Sequence, residues 1–465
     1  METGIGDSSH TTQPSGHAGS AYAKYVVFVL VICYTLAFVD RQILSLLVGP
    51  IKRDLSLSDS SFGLLSGLAF AVLYTLMGLP IGRLVDTRNR RNIVICGVTA
   101  WSIMTGLCSA ARSFASLFAA RIGVGIGEAA LSPSAFSIIS DYFPKEQLGL
   151  ALSIYSMGIF IGTGIALLVG GAVVDAVSHL PPVTLPVLGT MAAWRLTFVI
   201  VGVTGLFFAP LGLTIREPLR RGVLRNADGE QARLTVGEML IQLRMRWTSV
   251  LGISATMIFS NASFFALTAW VPAFFARTHG WTPGQTGRAL GFVVIGFGCA
   301  GMYAGGSLCN RWLRQGIEIA PLRVATLGAI GVGVFMPSAF LVPSATGTIA
   351  LCAPALFFSA FPIGSLFGSA QLLFPNQVRG VVGALVLFIL NLGGQSLGPL
   401  GPGVFDDYVF HDEKMIGPAL ALTIGICSVL MILSARATYA PYRKHYRMLH
   451  GTPEGSATPS SPFES

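Results

Sequence analysis

The chain of 465 residues is 52% apolar and only 11% charged, with a mean hydropathy of +0.68. An ordinary soluble domain carries about 25% charged residues, so this composition excludes one and calls for several membrane spans of roughly 20 apolar residues each. The formal net charge of +9, from 30 Lys and Arg against 21 Asp and Glu, is then read first against membrane topology.

In chain order, residues 1–24 are polar and lack the basic start and small-residue cleavage site of a signal peptide, which predicts a disordered tail and a first span that stays in the mature chain. Apolar runs between charged or turn-rich breaks then predict helices near 25–49, 61–82, 92–111, 114–140, 149–176 and 193–214, followed by 248–276, 285–310, 322–343, 348–373, 380–404 and 415–436. The expected fold is all-α and polytopic, with twelve transmembrane helices in two six-helix bundles, 25–215 and 248–437. Residues 216–247 form the linker and 438–465, rich in Pro and Ser at the end, a second disordered tail.

An even number of spans puts both termini on one side. On this layout 21 of the Lys and Arg fall on that side and 7 on the other, with Arg41 and Arg121 inside spans. The positive-inside rule makes the termini cytoplasmic. The linker contributes most, with Arg216, Arg220, Arg221, Arg225, Arg233, Arg244 and Arg246 among four acids. Within it Val236, Met239, Leu240, Leu243 and Trp247 recur at helical spacing, which predicts an amphipathic helix on the membrane surface. Basic residues beside spans attract anionic lipid rather than nucleic acid. The seven cysteines show no CxxC pair and no Cys/His metal spacing, so neither a disulfide framework nor a metal is expected.

The chain also repeats itself weakly. The stretch Gly82 to Arg91 after the second span is echoed by Gly306 to Arg314 after the eighth, and Phe143-Pro144 with Gly149 returns as Phe374-Pro375 with Gly380. The offsets of 224 and 231 residues nearly agree, as two parallel halves of a transporter require. Seven glycine pairs four residues apart (63/67, 123/127, 158/162, 287/291, 301/305, 364/368 and 394/398) predict close helix packing. No Walker lysine motif, HExxH or GxSxG is present, which argues against an ATP-driven pump or a hydrolase.

Gly82, Leu84, Asp86, Arg90 and Arg91 match the signature that the major facilitator superfamily carries between its second and third helices, with Thr87 and Asn89 departing from it. Asp40-Arg41, the run from Arg121 to Ala129 and Asp141-Tyr142-Phe143-Pro144 resemble the Spinster branch of that superfamily. The resemblance implies two pseudo-symmetric bundles and a lysophospholipid-like or sphingoid-phosphate-like substrate. It also implies that Gly82, Asp86, Arg90 and Arg91 form a latch stabilising the outward-facing state.

Four charges fall well inside the spans: Asp40, Arg41, Arg121 and Glu128. Each costs roughly 2.5–3.5 kcal/mol at a helix centre on insertion scales, so such residues face a partner or a wet cavity. Arg121 and Glu128 share a face of one helix but stand ~10 Å apart along its axis, so they need partners on another helix. The expectation is that Asp40 and Glu128 are the proton-coupling groups, that Arg41 holds the substrate headgroup, and that Arg121 tunes Glu128 while contributing to the substrate site. Two purely structural ion pairs are the alternative. In the second half, Phe265 with the amides Asn261, Gln371, Asn391 and Gln395 are candidate substrate contacts. The function read from the residues is a proton-coupled secondary transporter of a small amphipathic or anionic solute, without cofactor or metal, monomeric and surrounded by membrane lipid. A sugar-acid or organic-anion symporter is the second reading, and a receptor or enzyme on the same scaffold the third.

Overall fold

The computed structural model describes residues 21–179, 183–185, 189–220, 236–374 and 376–450. Among them are twelve helices long and apolar enough to cross a membrane. Spans 1 to 6 are Ala21–Leu46, Asp59–Gly78, Arg90–Cys108, Phe114–Tyr142, Leu150–Ser178 and Ala193–Thr214. Spans 7 to 12 are Leu243–His279, Pro283–Arg314, Ala320–Leu341, Ala345–Ala370, Leu385–Phe410 and Glu413–Leu449. Local chemistry sets their ends. Ser58 and Ser344 accept from backbone N–H groups at the starts of spans 2 and 10, and Ser113 with Ser116 and Thr282 with Gln285 form reciprocal capping boxes before spans 4 and 8. Beyond spans 7 and 8, Gly280 and Gly316 take φ of 66° and 77°, the left-handed step that ends a helix and that a Cβ disfavours.

The apolar interior divides in an informative way. One core cluster is built from the first half alone, around Val26, Val94, Trp101 and Tyr155, and another from the second half alone, around Ile253, Leu322, Leu373 and Tyr442. The third cluster draws on both halves, where Phe62 meets Trp270 edge-on at 5.6 Å and Phe160 meets Phe264 at 5.8 Å. It lies toward the side opposite the termini, called the far side below. There the halves touch backbone to backbone: a Cβ on Gly63 of span 2 would lie 2.6 Å from the Pro399 carbonyl oxygen of span 11. Six of the seven glycine pairs face a neighbouring helix in this manner, whereas Gly364 and Gly368 have nothing within 4 Å.

Four details differ from the sequence reading. The first helix begins at Ala21, inside the expected tail 1–24, of which residues 1–20 lie outside the described set. Residues 438–450, expected in the disordered tail 438–465, continue the last helix to His450. They are held by Arg447 and Arg443 on Glu318, at 2.8 and 3.8 Å, and by His445 on the Ser249 hydroxyl at 2.8 Å. The amphipathic segment 236–247 is no separate surface helix; it runs on into span 7 as one helix, Val236–His279, because no break residue separates them. Within it Leu243 packs on the second-half core, Trp247 is exposed, and the side chains of Val236, Met239 and Leu240 lie outside the described set. A small antiparallel ribbon, Val183–Leu185 with Gly189–Met191, joins spans 5 and 6 and adds to an otherwise helical fold.

Candidate functional site

Span 4 is built to present its two charges. Pro133 has no N–H to donate and its ring crowds the carbonyl four residues earlier, so the helix pinches at Ala129–Ala130, where Ala130 N bonds the Gly127 carbonyl at 3.3 Å. The pinch follows Glu128 directly. One turn before it, Gly125 lets span 2 approach, since a Cβ there would stand 2.7 Å from the Phe70 carbonyl oxygen. This close packing brings the Phe70 ring under Arg41, whose guanidinium carbon is 4.2 Å from the ring centre, with Phe38 at 4.9 Å and Tyr74 at 5.0 Å completing the aromatic seat.

The four intramembrane charges form two crossed pairs between spans 1 and 4. Arg41 donates through Nε to Glu128 Oε2 at 2.6 Å, and its Nη2 reaches the same oxygen at 2.6 Å. Arg121 donates through Nη1 to Asp40 Oδ1 at 3.0 Å, and the Thr105 hydroxyl of span 3 donates to the other oxygen of Asp40. Arg121 and Glu128 each find the cross-helix partner their separation requires, Arg121 in Asp40 and Glu128 in Arg41. Side chains on a helix lean toward its N-terminus, so Arg41 reaches back toward the termini side, where Glu128 lies. The carboxylates are 2% and 1% exposed, and Glu128 Oε1 and Arg121 Nε are buried with no partner among the described residues. Removing one member of such a pair typically costs about 3–5 kcal/mol, because the other charge is left buried alone.

Both arginines, and neither carboxylate, line a central cavity between the halves. The first-half wall adds Phe38, Gln42, Ser45, Phe70 and Thr163; the second-half wall is Phe264, Phe265, Thr268, Gln395 and Pro399. An adjoining chamber is apolar apart from Gln42, Thr163 and Thr268, which it shares with the cavity; Leu167, Val271, Leu290 and Leu356 line it. Of the expected second-half contacts, Phe265 and Gln395 reach the cavity. Asn391 accepts from Gln395 Nε2 at 2.6 Å and so braces it from one turn away. Asn261 instead donates to the Leu390 carbonyl at 3.5 Å, tying span 7 to span 11, and the Gln371 side chain lies outside the described set. Gln42, Thr105, Thr163 and Thr268 were not legible: one uncharged polar residue in an apolar run gives no sign of which face it takes.

The cavity is closed on the far side by polar contacts between the halves. Gln42 Nε2 donates to the Thr268 carbonyl at 2.5 Å. Beyond it Arg277 holds Asp59 with both arms of its fork, at 2.6 and 2.7 Å, and contacts Asp406 at 3.2 Å. Lys52 pairs with Asp59 and, at 2.9 Å, with Glu413, while Asp407 accepts from the Ser60 N–H at 2.7 Å at the start of span 2. Span 5 meets span 8 here through a π-helical turn, Ala166–Gly170, laid against Gly287.

At the termini side, the expected latch residues separate. Arg90 is buried and donates to Asp141, to Glu217 at 2.7 Å and to the Pro218 carbonyl at 2.8 Å, while the Arg91 N–H donates to Glu217 at 3.0 Å. Asp86 is exposed at the end of span 2, and a Cβ added at Gly82 would meet nothing within 4 Å.

A profile of the Major Facilitator Superfamily matches residues 30–399, most of both halves. The chain belongs to this superfamily. Its relatives include an MFS-type efflux pump of Mycolicibacterium smegmatis, 30% identical over 93% of this chain and 96% of its own length. A probable L-galactonate transporter of Escherichia coli is 26% identical over 78% of each chain. Among solved structures, a bacterial homologue of the human lysosomal transporter Spinster, in an inward-facing and unoccupied conformation, superposes with a TM-score of 0.75 at 26% identity, covering 95% of this chain and all of that one. This superfamily protein is thus a Spinster-like membrane transporter and not an enzyme.

Proposed function

We propose that this transporter moves an anionic, lipid-like amphiphile by alternating access and couples that movement to protons. One observation carries the reading: two guanidinium groups stand in the cavity wall, each with a buried carboxylate directly behind it. An arginine can hold an anionic headgroup bidentately. A proton on Glu128 or Asp40 weakens that carboxylate's hold on its arginine and so alters what the arginine offers to the substrate. Proton-coupling is assigned to Asp40 and Glu128, and headgroup binding to Arg41 and Arg121 with Gln395 and Phe265 across the cavity. The joined far side corresponds to the inward-facing state, with the termini cytoplasmic in a bacterial inner membrane. Gly82, Asp86, Arg90 and Arg91 act as the latch of the opposite state.

A sugar-acid substrate is the second reading, supported by the galactonate-transporter relative and the amide Gln395. The apolar chamber beside the cavity favours the amphiphile, because a sugar acid has no apolar part to place there. Counterflow in proteoliposomes with labelled lysophospholipid and labelled galactonate, with and without a pH gradient, separates them. Lysophospholipid exchange that the gradient accelerates supports the proposal; galactonate exchange alone overturns the substrate class, and indifference to the gradient overturns the coupling.

A further inference from the structure

The charged cluster on the far side is unevenly satisfied. Asp59 is fully buried and receives both arms of Arg277 together with the Lys52 amine. Asp406 is equally enclosed at 2% exposed but receives only the longer 3.2 Å contact from Arg277 at Oδ2, and its Oδ1 is buried with no donor among the described residues. The two carboxyl groups converge on a single nitrogen, since Arg277 Nη1 donates to Asp59 Oδ2 at 2.6 Å and to Asp406 Oδ2 at 3.2 Å. The groups around it come from every element that meets there: Lys52 and Asp59 from the first half, and Arg277, Asp407 and Glu413 from the second. Two cations thus face four carboxylates, of which Glu413 is two-thirds exposed and solvated and Asp407 is engaged at the start of span 2.

We propose that Asp406 is a second proton site of the transporter, occupied while the far side is closed and emptied as it opens. Two carboxylates crowded onto one guanidinium nitrogen cannot both ionise cheaply, and a single proton lets their repulsive approach become an O–H···O bond. Asp59, already served by two cations, is the natural acceptor. The bond crosses between the halves, so it exists only in the closed arrangement. Opening removes the acceptor and hydrates Asp406, which releases its proton to the far compartment. Linkage then gives the sign: the closed state binds the extra proton, so acid on the far side favours closure and rising pH favours opening. The site rests on the alternating access of the superfamily and not on the proposed roles of Asp40 and Glu128.

The test uses the full-length protein in lipid nanodiscs, with spin labels at Ala115 and Thr346, exposed at the far ends of spans 4 and 10. The short-distance population should fall as pH rises, and Asp406→Asn, which keeps a donor toward Asp59, should hold it short across the range. Glu413→Gln, which weakens one closing contact, should lower the short-distance population at every pH while leaving its pH dependence in place. Infrared difference spectra should show a protonated carboxylic acid band that Asp406→Asn abolishes. Asp59→Asn, which leaves Asp406 without its carboxylate neighbour, should remove the same band. A pH profile or band unaltered in Asp406→Asn overturns the proposal. So does a profile that vanishes in the Asp40→Asn/Glu128→Gln double variant, which would locate the response at the cavity; survival of the profile there supports the far-side site whatever becomes of the proposed coupling.

Discussion

Glu128 meets Arg41 with one oxygen only: Oε2 accepts at 2.6 Å while Oε1 is buried with no donor among the described residues. A carboxylate satisfied on one side has a vacant position for a proton without first surrendering its partner. Under the proposed coupling, that proton neutralises Glu128 and frees Arg41 for an anion. Glu128→Gln therefore imitates the protonated state. Counterflow of the anionic substrate should persist, while accumulation driven by a pH gradient should fall at least about tenfold, a change of about 1.4 kcal/mol in driving free energy. Undiminished gradient-driven accumulation by this variant would remove Glu128 from the coupling.

Arg41 is seated on Phe70 at 4.2 Å and turned into the cavity. A lysine keeps the charge but loses both the planar stacking and the fork. Charge-assisted hydrogen bonds contribute about 1.5–3 kcal/mol each, so Arg41→Lys should weaken binding of an anionic amphiphile roughly ten- to hundredfold. An uncharged-headgroup analogue of equal chain length should bind the variant as it binds the wild type. Titration calorimetry with the two ligands is the direct comparison, and equal losses for both would place Arg41 in structure rather than in recognition.

The fold was legible because apolar runs of membrane length, an echoed loop signature and an asymmetric distribution of Arg are all properties of sequence alone. The four buried charges were legible for the same reason, since a charge in an apolar span is conspicuous and needs a partner. Their pairing was not: which acid meets which arginine depends on the relative depth and rotation of spans 1 and 4, and those follow from contacts such as Gly125 against Phe70. The far-side cluster escaped notice because Lys52, Asp59, Arg277, Asp406 and Glu413 sit at span ends, where charge is ordinary, and only the fold unites positions more than 200 residues apart. The helical extension over residues 438–450 was not legible because Glu318, which holds Arg447, is remote in sequence.

Arg277 joins Asp59 of one half to Asp406 of its own half and stacks over Trp270 at 5.7 Å. Its truncation leaves two buried carboxylates without their shared cation, a loss of about 3–5 kcal/mol borne by the far-closed state alone. Arg277→Ala should shift the distance distribution between labels at Ala115 and Thr346 toward the far-open state, with Arg277→Lys intermediate. An unchanged distribution in Arg277→Ala would show that the apolar seam of Gly63 and Pro399 suffices to hold the halves together.

Arg90 and Asp86 belong to the same loop signature but are predicted to fail differently. Arg90 is buried among Asp141, Glu217 and the Pro218 carbonyl, all within the first half, so Arg90→Ala should destabilise that bundle by about 3–5 kcal/mol and lower its thermal midpoint in any conformational state. Asp86 is exposed while the far side is closed, so Asp86→Asn should alter stability by no more than about 0.5 kcal/mol. If Asp86 works as the proposed latch of the opposite state, its neutralisation should still enlarge the far-closed population seen by the label pair. A thermal midpoint lowered as much by Asp86→Asn as by Arg90→Ala would instead make both residues parts of one structural ion-pair network.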